Sequence, residues 1–347
     1  MNNVRITLFV IVGLFGLNSC ENGSQENIGF RLKNSKPNLR LGEKVQIEVK
    51  SNDFKAVQYL VLEKEDTLST FNGEEVKLNF KLNSQTVGIK KLIIIGVTEN
   101  GDSKKKMIRV EVFSNTEPLR KEVKVLKEYA HNSNDYTQGL FFDGDTLFES
   151  TGLYGESRVK KYLIGNEGIL QDVLINERLF GEGITLLDNH IYELTWKSGV
   201  VLVYDRNFNL LKEVSLPFKA EGWGLTNDGK NLIMSDGSGK IRFLNPENLR
   251  IIKEIDVYDN QRRLSLLNEL ELVEGELYAN IYQSNYIAKI DIGTGKVLAY
   301  IDCSPLEGLI ERSIDTDVLN GVAYNESRET FFLTGKKWNK LFEVAFE

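Results

Sequence analysis

Short runs that alternate apolar and polar residues fill the chain, and they predict strands throughout. Val45-Gln46-Ile47-Glu48-Val49 alternates with a period of two, as a half-buried strand does. Val76-Lys77-Leu78-Asn79-Phe80-Lys81-Leu82 repeats the pattern and 107–113 follows it, while 91–97 is a continuous apolar run after its first lysine. Asn100-Gly101-Asp102, between the last two, has the chemistry of a hairpin turn. About seven such strands within 28–115 predict an immunoglobulin-like β-sandwich. No chemical constellation falls in it, so its expected role is that of a spacer or docking module.

From 116 to 347 the pattern becomes an internal repeat. Its stretches are Tyr-Thr-Gln-Gly-Leu (136–140), Phe-Gly-Glu-Gly-Ile (180–184), Glu-Gly-Trp-Gly-Leu (221–225), Leu-Leu-Asn-Glu-Leu (266–270) and Val-Leu-Asn-Gly-Val (318–322). Their fourth residues are Gly139, Gly183, Gly224, Glu269 and Gly321, at steps of 44, 41, 45 and 52 residues. Each stretch leads into a second strand, at 146–151, 190–196, 231–236, 276–282 and 330–335. A further hairpin follows, such as 201–205 with 210–216 or 287–291 with 297–302. Four strands per unit of about 45 residues predict a β-propeller blade, and five units fill the region. The fifth unit is one strand short after 341–346. Segment 122–129 can supply that strand and hide the open edges. Only 304–314 reads as a helix. The expected fold is all-β, a five-bladed propeller preceded by the small sandwich.

Equivalent positions follow from this register. Just before the fourth repeat residue stand Gln138, Glu182, Trp223, Asn268 and Asn320. Counting forward 14 residues reaches Gly152, Trp196, Gly237 and Tyr282, and 16 residues from Asn320 lies Lys336. The start of one antiparallel strand and the end of its partner lie together. Both sets are therefore expected to ring one mouth of the central channel, with Tyr136 and Phe180 leaning over it. One carboxylate, three carboxamides, a lysine and several aromatics would converge there, as a small-ligand site requires.

Composition narrows the chemistry further. The 347 residues are 41% hydrophobic and 27% charged, which describes a globular chain. Residues 21–117 carry 16 basic and 14 acidic groups, and 118–347 carry 26 and 36, so the overall charge of −7 sits in the repeat region. That argues against nucleic acid as a partner. Two cysteines and two histidines cannot build a disulfide framework or a zinc ribbon. His131 and His190 are expected to be surface or turn residues. At the N-terminus, Arg5 precedes an apolar run over 6–17, too short to span a bilayer but suited to a signal peptide. Leu17-Asn18-Ser19-Cys20 resembles a bacterial lipobox. It predicts removal of 1–19, lipidation of Cys20 and a tether over 20–27. The expected location is the bacterial cell envelope, at the outer membrane, with the lipid on Cys20 as the membrane contact. Cys303 is then left as a lone buried thiol, and the chain is expected to be a monomer.

The same stretches, with Leu-Phe-Glu-Ser-Thr-Gly-Leu-Tyr-Gly (147–155), Gly-Trp-Gly-Leu-Thr-Asn-Asp-Gly-Lys (222–230), Leu-Asn-Glu-Leu-Glu (267–271), Asp-Val-Leu-Asn-Gly-Val-Ala (317–323) and Thr-Gly-Lys-Lys-Trp-Asn-Lys-Leu-Phe-Glu (334–343), resemble the plant-type glutaminyl-peptide cyclotransferases. These are five-bladed propellers that also occur in bacteria. The resemblance spans 120–347 in order. It implies Glu182 as the catalytic glutamate, Gln138, Asn268 and Lys336 as pocket polar groups, and Phe180, Trp196 and Trp223 as aromatic walls. The chain departs from the family's usual Phe at Tyr136, its Trp at Tyr282 and its Pro at Asn339. The implied reaction turns the N-terminal Gln of a peptide or protein into pyroglutamate, releasing ammonia, with no metal or other cofactor. Two other readings of the mouth are a metal-dependent lactonase or hydrolase, with Glu182, Asn268 and Asn320 as ligands, and a non-catalytic peptide-binding propeller.

Overall fold

The computed structural model of the protein describes residues 30–51, 54–72, 77–165 and 168–347. The expected leader over 1–19, Cys20 and the tether over 20–27 lie outside them. In the N-terminal part, Phe30–Asn34, Lys44–Ser51 and Lys77–Lys81 form one sheet. Leu39–Arg40, Gln58–Glu63, Asp66–Asn72, Gly88–Val97 and Ser103–Phe113 form the other. The alternation read from sequence is the alternation of burial. Ile47, Val49, Leu78 and Phe80 face Val61, Leu92, Ile94, Val110 and Val112 across one core. Eight strands replace the expected seven or so, because the two-residue strand Leu39–Arg40 pairs in parallel with the end of Ser103–Phe113.

The repeat folds into five blades of four strands. The first runs through Thr137–Asp143, Thr146–Thr151, Arg158–Leu163 and Ile169–Leu174. Its innermost strand is buried on both faces over most of its length, and its outermost is largely exposed. Blades two to four repeat this order, starting at Gly181–Leu187, Leu225–Asn227 and Leu267–Val273. The fifth contains Leu319–Asn325, Thr330–Gly335 and Lys340–Phe346. Its outer strand is Leu119–Ala130, paired antiparallel from Lys340↔Ala130 to Phe346↔Val123. This closing strand does more than expected. Its first residues also pair in parallel with blade four, Ala299↔Leu119 to Asp302↔Glu122, which merges two blades into one eight-stranded sheet. The helix expected over 304–314 shrinks to the 3-10 turn Ser304–Gly308. Pro305 starts it in the first turn, where proline is tolerated, and Gly308 at its end disfavours a longer helix.

The inner strands crowd together at the propeller axis. A Cβ on Gly224 would come 2.0 Å from the Asn268 carbonyl oxygen, and one on Gly183 would come 2.3 Å from the Leu225 amide nitrogen. Glycine recurs at this position because neighbouring backbones occupy the space of a side chain. The backbones bond where they meet. The Gly183 N–H donates to Trp223 O at 2.7 Å, Ser235 Oγ donates to Asn268 O at 2.7 Å, and the Gly321 N–H donates to Asn280 Oδ1 at 3.0 Å. Glu269, the one repeat residue that is not glycine, is fully buried. Its carboxyl accepts the Val322 N–H of blade five at 2.7 Å and the Leu140 N–H of blade one at 3.2 Å.

The sandwich docks beside blades three and four. Tyr258 is buried, meets Phe113 edge-on at 5.6 Å, and donates its hydroxyl proton to Glu111 at 2.8 Å. Arg40 Nη1 donates to the carbonyls of Ser114 and Asn260.

Glu269→Ala strands two buried N–H groups, each worth about 1–3 kcal/mol when unpaired. The expected loss of stability is therefore about 2–6 kcal/mol, with a smaller loss for Glu269→Gln, which keeps one acceptor oxygen. Denaturant unfolding of the three proteins checks this. An alanine variant as stable as the parent would show that the ring holds without the carboxyl.

Candidate active site

Four of the five inner strands carry an irregularity where the chain enters them. The ladder register shifts between Thr137 and Gly139, Gly181 and Ile184, Leu267 and Leu270, and Leu319 and Val322. Gln138, Glu182, Asn268 and Asn320 sit in these bulges. A bulge leaves a residue out of the ladder and re-aims its side chain. All four are buried, and so is Lys336, just past the end of the return strand of blade five.

Above this polar floor stands an aromatic rim of half-buried rings. Phe180 packs on Trp196 at 5.4 Å and edge-on to Tyr136 at 6.2 Å, while Trp223 meets Tyr282 at 5.5 Å. The Lys336 ammonium lies 4.8 Å from the Tyr136 ring centre and 5.0 Å from that of Tyr282. The two glycines counted into the second ring have a use. A Cβ on Gly152 would strike Phe180, and one on Gly237 would strike Trp223. The structure thus gathers Gln138, Glu182, Asn268, Asn320 and Lys336 under Tyr136, Phe180, Trp196, Trp223 and Tyr282.

The floor is poised for a polar guest. Asn320 Nδ2 donates to Thr137 O at 3.0 Å and to Gln138 Oε1 at 3.2 Å, which leaves the Gln138 amide protons to face outward partners. The buried oxygens Asn268 Oδ1 and Asn320 Oδ1 have no hydrogen-bond partner. Among the described residues nothing donates to the Glu182 carboxyl. Burial pushes that carboxyl well above the usual range; Lys336 opposes the rise, and Glu221 and Glu193 add to it. Burial pushes the Lys336 ammonium down, against the pull of Glu182 and Asp317.

Three participants were not found in the sequence. Glu221 accepts both the Trp196 and the Trp223 indole N–H on one oxygen, at 2.9 and 3.1 Å. The mouth therefore holds a second carboxylate, where one was expected. Glu221 stands two residues before the first ring, as Tyr136 and Phe180 do, so the register contained the signal. Tyr154 packs edge-on to Phe180 at 5.5 Å, and Asp317 accepts the Tyr136 hydroxyl at 2.8 Å.

Behind the floor lies a buried charge network. His131, expected at a surface or turn, has a side chain only 2% exposed and pairs with Glu149 at 3.2 Å. Its other ring nitrogen meets Trp338 O at 2.8 Å. His190, by contrast, is exposed, at the first position of the strand His190–Thr195. Asp135 joins the network through an ion pair with Lys160. Donor atoms of His131, Asp135 and Glu149 lie within 4.8 Å of one another, as metal ligands do. They do not fit a cation as they stand, because the Lys160 ammonium already holds Asp135 and the Thr137 hydroxyl donates to Glu149 at 2.6 Å. The network instead anchors Thr137, whose carbonyl holds Asn320. Cys303 is fully buried and its thiol is pushed up by burial.

A sequence model described as glutamine cyclotransferase matches residues 95–346. The chain is 39% identical over 237 residues to the glutaminyl-peptide cyclotransferase of Arabidopsis thaliana, across 65% of this chain and 72% of the plant protein. The crystal structure of Myxococcus xanthus glutaminyl cyclase superposes with a TM-score of 0.61 at 30% identity, across 67% of this chain and 99% of that one.

Burial alone would lower the His131 pKa, but Glu149 overcomes it and raises the value from 6.5 to about 8. A raised folded-state pKa gives stability that is complete below the unfolded value and is lost as pH rises through the folded one. The melting temperature of the parent minus that of His131→Gln should therefore shrink between about pH 6.5 and pH 8. Thermal melts at stepped pH measure it, and a difference independent of pH would dissolve the pairing.

Proposed function

The chain belongs to the glutamine cyclotransferase family, and from that premise we propose how its mouth performs the reaction. The activity is that of a glutaminyl-peptide cyclotransferase, which closes the N-terminal Gln of a peptide to pyroglutamate and releases ammonia. Neither relative is named as a hydrolase or as a binder without catalysis.

The α-amine must attack the γ-carboxamide carbon of its own residue. A C–N bond forms, a tetrahedral oxyanion develops, and the old C–N bond breaks as ammonia leaves. Both reactants belong to one side chain, so selecting the folded-back conformer is a large part of the task. Phe180, Trp196, Trp223 and Tyr282 supply walls for the aliphatic stem. Glu182 takes the proton from the amine and returns it to the leaving nitrogen. A carboxyl raised by burial suits both halves of that shuttle. The Gln138 amide and Lys336 are the donors for the oxyanion. Asn268 lines the floor beside them, and Asn320, with no exposed surface, holds the Gln138 side chain in place. The observation that carries this reading is Glu182 itself, buried, without a protein donor, beneath aromatic walls.

The remaining parts of the reading are proposals of the same kind. Catalysis belongs to 116–347 alone, because the sandwich over 28–115 contributes nothing to the floor or rim. The chemistry is metal-free, since proton transfer and oxyanion stabilisation are both assigned to side chains. The lipobox-like Leu-Asn-Ser-Cys supports a protein held at the outer membrane of a bacterial cell envelope by lipid on Cys20, acting on peptides or proteins that present an N-terminal Gln.

In Glu182→Gln, turnover of a Gln-initiated peptide, followed by mass as ammonia loss, should fall by roughly 10²–10⁴-fold. Near-normal turnover in the folded variant would remove Glu182 from the mechanism. In Lys336→Met, Glu182 loses the cation that holds its pKa down. The acidic limb of the kcat/KM profile should then move to higher pH. A limb that stays in place would assign it to another group.

A further inference from the structure

The reaction as derived leaves Glu221 unused. Glu221 Oε2 is held between two indoles, accepting Trp196 Nε1 at 2.9 Å and Trp223 Nε1 at 3.1 Å. Two donors on one oxygen fix the plane of the carboxylate and so fix where Oε1 points. Among the described residues no donor bonds Oε1. Glu221 is also near enough to Glu182 to press on its ionisation.

We propose that Glu221 is the binding residue for the substrate's α-ammonium and thereby sets the requirement for a free N-terminus; this rests on the cyclotransferase reading above. An α-amino group ordinarily titrates near 7.7–8.0, so a peptide reaches the mouth largely as its ammonium form. Something must receive that charge before the proton is removed. Lys336 repels it. Glu182, deep in the floor and without donors, favours its neutral form. Glu221 stands at the rim, held by neutral N–H groups that leave its charge uncompensated. The walls suit the same guest, for indole faces attract cations. The Lys197 ammonium already lies 3.9 Å from the centre of the Trp196 ring. The two acids then divide the work. Glu221 holds the ammonium, the ionised form of Glu182 accepts one of its protons, and the freed lone pair attacks the carboxamide carbon; Glu182 then passes that proton to the leaving nitrogen and takes the second proton from the attacking one as ammonia departs.

Holding the walls is a simpler role for Glu221, and one experiment separates the two. Steady-state kinetics of a Gln-initiated tripeptide amide are measured for the parent, Glu221→Gln and Glu221→Ala. Inhibition by the pyroglutamyl product, which has the same downstream residues but no ammonium, is measured alongside. The glutamine oxygen can still accept both indoles, so Glu221→Gln removes charge and keeps the walls. The expected result is KM raised ~10–100-fold, the usual worth of a charge-assisted hydrogen bond, with product inhibition changed less than ~2-fold. Glu221→Ala, which frees the indoles, should weaken both. If KM and product inhibition shift together in Glu221→Gln, or if neither moves, Glu221 does not bind the ammonium. A parent protein that releases no ammonia from the tripeptide is a different result: it would overturn the cyclotransferase reading, and this assignment with it.

Discussion

Everything in the propeller depends on how closely five backbones approach at its axis. Where Gly183 faces Leu225 and Gly224 faces Asn268, no side chain fits. At these points the inner strands are held by main-chain and short polar bonds, while their apolar residues, such as Ile184, Leu225 and Leu270, pack between the blades. The entering chain bulges beside three of the repeat glycines and beside Glu269. The bulges turn Gln138, Glu182, Asn268 and Asn320 out of the ladder. The packing constraint thus accounts for the repeat, and the bulges account for the polar floor. Glu269 shows the limit of the rule, because its carboxyl reaches across to blades one and five and replaces a contact that glycine makes elsewhere.

The electrostatics of the mouth follow from depth. Glu182 and Lys336 are buried together, and each is pushed toward its neutral form while attracting the other. Glu221 and Asp317 lie higher and are committed to aromatic partners, the two indoles and the Tyr136 hydroxyl. Proton-exchanging groups therefore sit below and orienting groups above. The network of His131, Glu149, Asp135 and Lys160 supports this arrangement from behind, through Thr137.

The blades were legible in the sequence because the axial constraint writes a glycine at a nearly fixed interval. The 14-residue count from Glu182 to Trp196 worked because an antiparallel hairpin returns to its starting end. The bulges were not legible, since one extra residue in a strand leaves the alternation of its neighbours almost intact. His131 was misplaced because Asn132, Ser133 and Asn134 surround it with turn chemistry, whereas the partner that buries it, Glu149, lies on another strand. Glu221 was read past because an acid beside glycine resembles an ordinary loop residue. The parallel seam between Leu119 and Ala299 joins segments 180 positions apart, and no local pattern records it. The 3-10 turn at Ser304–Gly308 was overread because buried Leu306 and Ile310 have helical spacing, although Gly308 between them disfavours helix.

The closing strand has a consequence for the order in which the molecule can be made. Ala130 pairs with Lys340, so the first strand of the propeller waits through 210 residues of synthesis for its partner. Until Lys340–Phe346 emerges, blade five lacks its third strand and the ring has an open seam. Local hairpins can form in turn as they leave the ribosome, but circular closure is a late, long-range event. Such contacts carry a high loop-closure entropy and form slowly. During that interval the exposed edges of Leu119–Ala130 are the segment most open to pairing with another chain. Lys121, Lys124 and Lys127 along it, by their charge, disfavour such pairing.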